Sequence, residues 1–299
     1  MLMRDMSACE LEEPLIESAP IAHRVAQQLC MRDPATGETC AWYHGFWQYL
    51  RAMGLGKTSG GQGAFFVDTL RAVVPRPDAV ARVLISGSGD YSMPAHVLFA
   101  FARDARPVDL TVVDHCETPL YLSRWYAGRR GATITTARSD ILSYENPAPF
   151  DVVLTNSFLG YFDADSRPRL VAAWHRLLRP GGKAVFSNRI RPGASPAAVG
   201  FGPEQTRRFS ETVRAEAKRW QPVFGFDPDH VATWAHTYGE RFRSYPIRSA
   251  DEVVTLLRDG GFVTDHVETV TTAAPEGQSV AGPSMADGAA YVRVIATRP

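Results

Sequence analysis

The feature that most constrains this chain is an apolar run at residues 80–85, followed directly by Gly87-Ser88-Gly89. A short apolar run, interrupted only by Arg82, predicts a buried β-strand. The two glycines predict a tight turn, and Ser92 followed by Pro94 predicts the N-cap and first turn of a helix. A strand, a glycine turn and a helix in this order allow the backbone to approach a nucleotide-like ligand closely.

An acidic residue follows at the end of the next predicted strand. Asp114 comes after the apolar run 110–113, twenty-five residues beyond Gly89. A carboxylate at this point can accept hydrogen bonds from both hydroxyl groups of a ribose. The glycine turn and Asp114 together predict a site for a nucleoside cofactor.

The pattern beyond Asp114 alternates apolar runs with helical segments, which predicts an α/β fold. The predicted strands lie at 132–136, 151–154, 184–187, 262–270 and 289–296, with helices at 165–178 and 250–258. Polar residues follow two of the strands, with Asp140 after the third strand and Asn156 and Ser157 after the fourth. In a parallel sheet these strand ends share one edge.

The order of these motifs resembles the class I S-adenosylmethionine-dependent methyltransferases. The resemblance depends on the glycine turn, Asp114, Asp140-Ile141, Phe150-Asp-Val-Val153 and Leu177-Leu-Arg-Pro-Gly-Gly182, and it covers about 82–186 with a tail at about 249–296. Ile85 stands where the family usually has an acidic residue, and Tyr91 stands where it has a third glycine. The resemblance implies a Rossmann-like seven-stranded sheet with helices on both faces, and S-adenosylmethionine as cofactor.

Carried onto this sequence, the resemblance also implies a set of cofactor-binding residues. Asp114 would hold the ribose, Asp140 the adenine amino group, and Ile141 would lie beside the adenine ring. The full predicted set is Gly87, Ser88, Gly89, Asp90, Asp114, His115, Asp140, Ile141, Asn156 and Ser157. For each of these residues the alternative is an ordinary turn or helix-capping role.

Two segments lie outside the sheet pattern. Residues 1–78 predict an N-terminal helical cap, with helices at 21–31, 41–53 and 65–74. Residues 79–299 predict the cofactor-binding domain, with a helical insertion after strand five at about 190–248. In the family that the chain resembles, such segments commonly build the acceptor pocket, so we expect the insertion to form a lid over it.

The helix predicted at 41–53 is rich in aromatic residues. Trp42, Phe46 and Tyr49 share one face, a spacing usually explained by core packing. Tyr43 and Trp47 form a second pair, and such faces suit a sulfonium cation or an organic acceptor. The predicted acceptor-binding residues are Tyr43, Trp47, Tyr161, Arg189 and Arg191, and the two arginines suit a carboxylate.

Histidines and cysteines give weaker signals. His44 and His236 are the predicted catalytic bases, with a structural role as the alternative for each. Cys9, Cys30, Cys40 and Cys116 show no CxxC pairing, so we expect reduced thiols and no metal.

No apolar run approaches the ~18 residues of a membrane span, and the N-terminus lacks a signal-peptide pattern. We therefore expect a cytoplasmic protein, with a homodimer as one open alternative.

The overall charge bears on the class of substrate. Lys+Arg and Asp+Glu number 32 each, and this balance argues against a nucleic-acid partner. The sequence predicts methyl transfer to a small-molecule acceptor, with oxygen favoured over nitrogen. The alternatives are a nucleic-acid or protein methyltransferase and a non-catalytic S-adenosylmethionine-binding module. Strand four ends in Asn156-Ser157-Phe158-Leu159, without the Asn/Asp-Pro-Pro-Tyr/Phe motif of amino-methylating enzymes.

Overall fold

The computed structural model describes residues 13–33, 35–56, 62–74, 79–195, 197–272 and 289–299. Cys9 and parts of the predicted cap lie outside these residues.

A seven-stranded sheet forms the centre of the described structure, in the order β3-β2-β1-β4-β5-β9-β8. The strands are β1 (Ala81–Ser86), β2 (Val108–Asp114), β3 (Thr135–Arg138), β4 (Phe150–Asn156), β5 (Leu178–Ile190), β8 (Val263–Thr272) and β9 (Ala289–Thr297), with β6 (Val199–Gly200) and β7 (Arg243–Ser244) pairing separately. β1 to β5 are parallel to one another, and β9 is antiparallel to β5 and β8. This topology confirms the predicted Rossmann-like fold.

Helices cover both faces of the sheet, as predicted. They are α1 (Leu15–Leu29), α2 (Ala41–Ala52), α3 (Gly63–Val73), α4 (Ser92–Arg103), α5 (Glu117–Arg129), α6 (Arg167–Leu177), α7 (Pro203–Phe224), α8 (Pro228–Arg241) and α9 (Ala250–Asp259). Val83 and Ile85 pack in the core that α3, α4 and α5 form, whereas Leu84 packs in the core beneath α6 and α9. Because alternate strand residues enter opposite cores, a parallel strand is apolar throughout.

A third hydrophobic core joins the N-terminal helices to the insertion. Phe46 and Leu50 of α2 are buried in one cluster with Val213 of α7 and Tyr238 of α8. The division into a cap and an inserted lid stays a prediction. The shared core nevertheless shows that the two segments pack against each other above the sheet.

Some boundaries differ from the sequence prediction. α1 begins at Leu15, well before the predicted start at residue 21, and contains Pro20. A proline in the helix removes one backbone donor, and here the buried side chains of Ser18, Ala19 and Ala22 hold that segment against its neighbours. β5 runs from Leu178 to Ile190, longer at both ends than predicted. Among the described helices, none combines the length and apolar character needed to cross a membrane.

Candidate active site

A cavity of about 570 Å³ opens where the parallel strands end. Its floor comes from the loops that follow β1, β2, β3 and β4, and its walls come from α2, α8 and the segment that follows β5. The crevice outside the carboxyl ends of the strands is where open α/β sheets bind ligands. The volume is typical of a pocket for small molecules.

Nearly all the predicted site residues line this cavity. They are Tyr43, His44, Trp47, Gly87, Ser88, Gly89, Asp90, Asp114, His115, Ile141, Asn156, Ser157, Tyr161, Arg189 and Arg191. The sequence therefore places these residues together correctly. Their individual roles in binding stay predictions.

His236 is not brought to the cavity. Its side chain is 51% exposed on α8 and lies 3.3 Å from the carboxylate of Glu240. The buried face of α8 instead carries Ala235 and Tyr238. The structure thus corrects the prediction of His236 as a catalytic base, because the helix turns this side chain toward solvent.

Asp140 lies beside the cavity but does not line it. Its Oδ1 accepts the backbone N–H of Leu142 and lies 3.4 Å from Nε2 of His115. Its neighbours Ser139 and Ile141 do line the cavity. Contact between Asp140 and an adenine amino group stays a prediction.

The two glycines of the turn play different structural parts. Gly87 has a φ of +73°, and a Cβ there would lie 2.3 Å from the ring of Phe158. At Gly89 a Cβ would meet the Tyr43 hydroxyl at 3.2 Å, without a positive φ. Gly87 therefore adopts the positive φ of the turn. Gly89, which has no side chain, allows Tyr43 of α2 to pack closely against the turn.

We expect Gly87→Ala to lower the free energy of unfolding by about 1–3 kcal/mol, because alanine would add both backbone strain and a clash with Phe158. Gly128→Ala is the matched control, since no atom lies within 4 Å of a Cβ at that helical position. That control should gain about 0.4–1 kcal/mol. Urea denaturation measures both variants, and equal stability of Gly87→Ala and the wild type would contradict this role of the turn.

Asp114 is held in a fixed orientation at the end of β2. Its Oδ2 accepts the N–H of Ser88 at 2.8 Å, and its Oδ1 accepts the N–H of Cys116 at 2.7 Å. Burial raises the pKa of Asp114, while the charge of His44 and these two hydrogen bonds oppose that rise. Each carboxylate oxygen keeps a second acceptor position, so the group can still receive ribose hydroxyls.

Asp90 connects the turn to α2. Its Oδ1 accepts the N–H of Ser92, and its Oδ2 pairs with Arg51 at 2.8 Å in a buried ion pair. The sequence predicted Ser92 as the N-cap of α4, but the N-cap is Tyr91, and Asp90 accepts the N–H of Ser92 from outside the helix. Because both carboxylate oxygens have partners, Asp90 anchors the cap segment to the cofactor turn.

The wall formed by β4 and β5 presents unpaired polar groups. Ser157 has a φ of +55°, a strained conformation for a residue other than glycine. Next to it, the buried Oδ1 atoms of Asn156 and Asn188 have no hydrogen-bond partner in the part of the chain that the structure describes. Both asparagines line the cavity. Buried acceptors without partners fit a ligand with donor groups, such as the ammonium and hydroxyl groups of S-adenosylmethionine.

Three cysteines and His44 meet at one end of the cavity. The Sγ atoms of Cys30 and Cys40 each lie 3.5 Å from Sγ of Cys116. Nδ1 of His44 lies 3.6 Å from Sγ of Cys30. Burial lowers the pKa of His44, but its contacts with Cys116 and Cys40 outweigh this effect and raise the pKa to about 10.

This cluster bears on two expectations. Cys30, Cys40 and Cys116 are free thiols, but the fold brings these residues, distant in sequence, together in one group that was not predicted from sequence. His44 lines the cavity with Nδ1 facing the sulfur of Cys30, and its role as a catalytic base stays a prediction. The spacing of Cys40 and His44, one helical turn apart on α2, is a sequence signal that could have revealed part of the cluster.

Arg189, near the end of β5, and Arg191, directly after it, both line the cavity. Burial lowers the pKa of both guanidinium groups; the charge of Arg189 adds to the effect at Arg191, whose pKa falls to about 10. Nη1 of Arg191 is buried without a hydrogen-bond partner. No carboxylate among the described residues forms an ion pair with Arg191, so this wall of the cavity is suited to an anion.

Several cavity residues were not predicted from sequence. The ring of Phe158 covers Gly87, and Tyr238 of α8 stacks on Tyr43 with ring centroids 6.0 Å apart. Asn188 and Tyr291 contribute from β5 and β9. Phe158 and Asn188 had a usable signal, since both lie near the carboxyl ends of strands.

Comparison with known proteins agrees with the fold. A family profile described as a methyltransferase domain matches residues 90–182. 1,6-Didemethyltoxoflavin-N1-methyltransferase of Burkholderia thailandensis is 17% identical over 97% of this chain and 92% of that chain, with a TM-score of 0.51. Magnesium protoporphyrin IX methyltransferase of Synechocystis PCC 6803 is 12% identical over 85% of this chain and 87% of that chain, with a TM-score of 0.48.

A geranyl diphosphate methyltransferase in complex with S-adenosylmethionine is 14% identical over 80% of this chain and 85% of that chain, with a TM-score of 0.49. No curated protein sequence matches the chain. The profile match begins at Asp90, directly after the glycine turn, and extends through Arg179-Pro-Gly-Gly182, so it includes Asp114 and the other strand-end residues. Residues 90–182 therefore match a methyltransferase domain, and the fold of the chain is similar to that of a solved methyltransferase.

Proposed function

We propose that the protein is an S-adenosylmethionine-dependent methyltransferase that acts on an oxygen atom of a small acidic molecule held in the cavity. The observation that carries the proposal is the buried Nη1 of Arg191, which has no hydrogen-bond partner among the described residues. Arg191 and Asp114 line the same cavity. A buried cation without a partner is costly unless a ligand pairs with it. An acceptor with a carboxylate would supply that partner.

The residues on the sheet side of the cavity orient the donor. When bound, S-adenosylmethionine would supply a methyl group attached to its sulfonium, whose sulfur leaves readily because it departs as a neutral thioether. Asp114 would accept the ribose hydroxyls, with its orientation fixed by Ser88 and Cys116. The Oδ1 atoms of Asn156 and Asn188 would accept hydrogen bonds from donor groups on the methionine portion.

The residues on the helical side would align the acceptor and exclude water. Tyr43 and Trp47 of α2 stack with ring centroids 5.6 Å apart and both line the cavity. Aromatic faces attract a sulfonium and pack against an organic acceptor. The protein mainly has to align the reacting groups and keep water away from them. The two aromatic rings and α8 would provide most of this alignment and shielding.

A carboxylate acceptor also fits the positions of the histidines. Methyl transfer to a carboxylate requires no proton removal, whereas a phenol or a protonated amine requires a base. His44 contacts cysteines and His236 lies on the outer face of α8, so neither is placed to take a proton from an acceptor. The product of transfer to a carboxylate would be a methyl ester.

The proposal can be tested by incubating the protein with methyl-labelled S-adenosylmethionine and separate cell-extract fractions of acidic small molecules, other small molecules, RNA and protein. We expect the label in the acidic small-molecule fraction, and we expect mild alkali to release it as volatile methanol. Label that resists alkali would indicate an N-methyl or ether product. Label confined to RNA or protein would contradict a small-molecule acceptor.

Arg191→Ala should reduce kcat/KM for such an acceptor by about 10- to 100-fold, since a hydrogen bond to a charged group contributes about 1.5–3 kcal/mol. Cofactor affinity should stay unchanged, because Arg191 lies on the wall that follows β5 and Asp114 on the floor beyond β2. The exposed Arg258→Ala on α9 is the matched control and should retain wild-type kinetics. Unaltered kcat/KM in Arg191→Ala would remove the basis for an acidic acceptor.

A further inference from the structure

The cluster of Cys30, Cys40, Cys116 and His44 has the composition and size of a metal site. One ligand atom from each residue lies within 4.8 Å of the others. We infer that these four residues bind a zinc ion. The inference does not depend on the identity of the methyl acceptor.

The distances support tetrahedral coordination. Zinc–sulfur bonds of about 2.3 Å at tetrahedral angles place sulfur atoms about 3.8 Å apart. Two sulfur pairs in the cluster are 3.5 Å apart, and the sulfur of Cys30 is 3.6 Å from Nδ1 of His44. Three thiolates and one imidazole are a common ligand set for structural zinc.

The surroundings of the cluster favour thiolates. Cys40 and Cys116 are the N-cap residues of α2 and α5, where the positive end of the helix dipole stabilises negative charge. The hydroxyl of Thr118 lies 3.2 Å from Sγ of Cys30 and can donate to it. Binding of zinc would deprotonate the thiols and leave His44 neutral.

The position of the ion would give it a structural role. Four protein ligands leave no open coordination position, which is the arrangement of a structural site. Cys30 follows α1, Cys40 begins α2, and Cys116 lies in the connection between β2 and α5. The ion would therefore fasten the N-terminal helices to the sheet domain beside Asp114, whose Oδ1 accepts the N–H of Cys116.

A disulfide within the cluster is the competing interpretation. The sulfur separations of 3.5 Å are well beyond the bond length of about 2.05 Å, so a bond requires the side chains to move. One disulfide would also leave the third cysteine and His44 outside the bond, although they lie in the same cluster. Two equal sulfur separations, with all four ligand atoms within 4.8 Å of one another, are explained better by one central ion.

The test is to measure the zinc content of the purified, untagged protein by mass spectrometry and to record the absorption spectrum after replacing zinc with cobalt. We expect about one zinc per chain, and the visible and near-ultraviolet bands of tetrahedral cobalt bound to thiolates. Cys116→Ser and His44→Gln should lose the metal at least 10-fold more readily to a chelator. His44→Cys should retain it, because four thiolates also bind zinc.

Matched controls separate this result from general damage. Cys9→Ser removes a cysteine outside the described residues, and His230→Gln removes an exposed histidine of α8; both should keep the metal. Circular dichroism checks that each variant is folded. If His44→Gln unfolds, the retention of metal by His44→Cys still tests whether position 44 is a ligand. Protein that holds no zinc and takes up none, or a cluster disulfide found in protein purified under reducing conditions, would overturn the inference.

Discussion

Replacing Asp114 with alanine should weaken the binding of S-adenosylmethionine by about 10- to 100-fold, because a hydrogen bond to a charged group contributes about 1.5–3 kcal/mol. The substitution removes the predicted acceptor of the ribose hydroxyls. It also leaves the N–H groups of Ser88 and Cys116 without the carboxylate to which they donate in the wild-type protein. Isothermal titration with S-adenosylmethionine measures the effect.

Asp109→Ala provides the matched control for this titration. Asp109 lies on the same strand as Asp114, is partly exposed, and pairs with Arg82 away from the cavity. Its loss should leave cofactor affinity within about twofold, since exposed ion pairs contribute little. If Asp114→Ala bound the cofactor as tightly as the wild type, the role of Asp114 at the ribose would be wrong.

Replacing Arg51 with alanine should lower the free energy of unfolding by about 3–5 kcal/mol, the usual cost of leaving one charge of a buried pair without its partner. The side chains of Arg51 and Asp90 are each only 1% exposed. Arg51 also pairs with Glu13 and lies 5.8 Å from the ring centroid of Tyr91. Urea denaturation followed by circular dichroism measures the loss.

A double variant tests whether the unpaired charge is the cause. Arg51→Met combined with Asp90→Asn removes both charges and keeps an oxygen that can accept the Ser92 N–H. It should recover at least half of the stability lost in Arg51→Ala. Wild-type stability in Arg51→Ala would show that this ion pair does not fasten α2 to the glycine turn.

Much of the sheet and its binding edge was predictable from sequence, for a physical reason. The parallel strands are buried on both faces, so they appear as continuous apolar runs such as 83–85. Polar residues directly after such runs share the carboxyl edge of the sheet. Asp114, Asn156 and Ser157 could therefore be assigned to one site without knowledge of their distances.

Other features depended on tertiary contacts. His236 was assigned to the site because the helix could be predicted but its rotation could not, and that rotation places Ala235 and Tyr238 inward. The cysteine cluster was missed because Cys30, Cys40 and Cys116 come from three segments that only the fold brings together. The buried ion pair of Asp90 with Arg51 likewise joins residues that are 39 positions apart in sequence.

Hydrogen exchange with and without S-adenosylhomocysteine tests most directly whether the described cavity is the methyl-transfer site. Exchange should slow in peptides covering 86–92 and 113–117, and also in α2, because the turn, Asp114 and Tyr43 line one cavity. Peptides from α9, which packs in the core beneath the other face of the sheet, should exchange as in the free protein. Protection absent from the turn and from Asp114, or centred on α9, would contradict the assignment of this site.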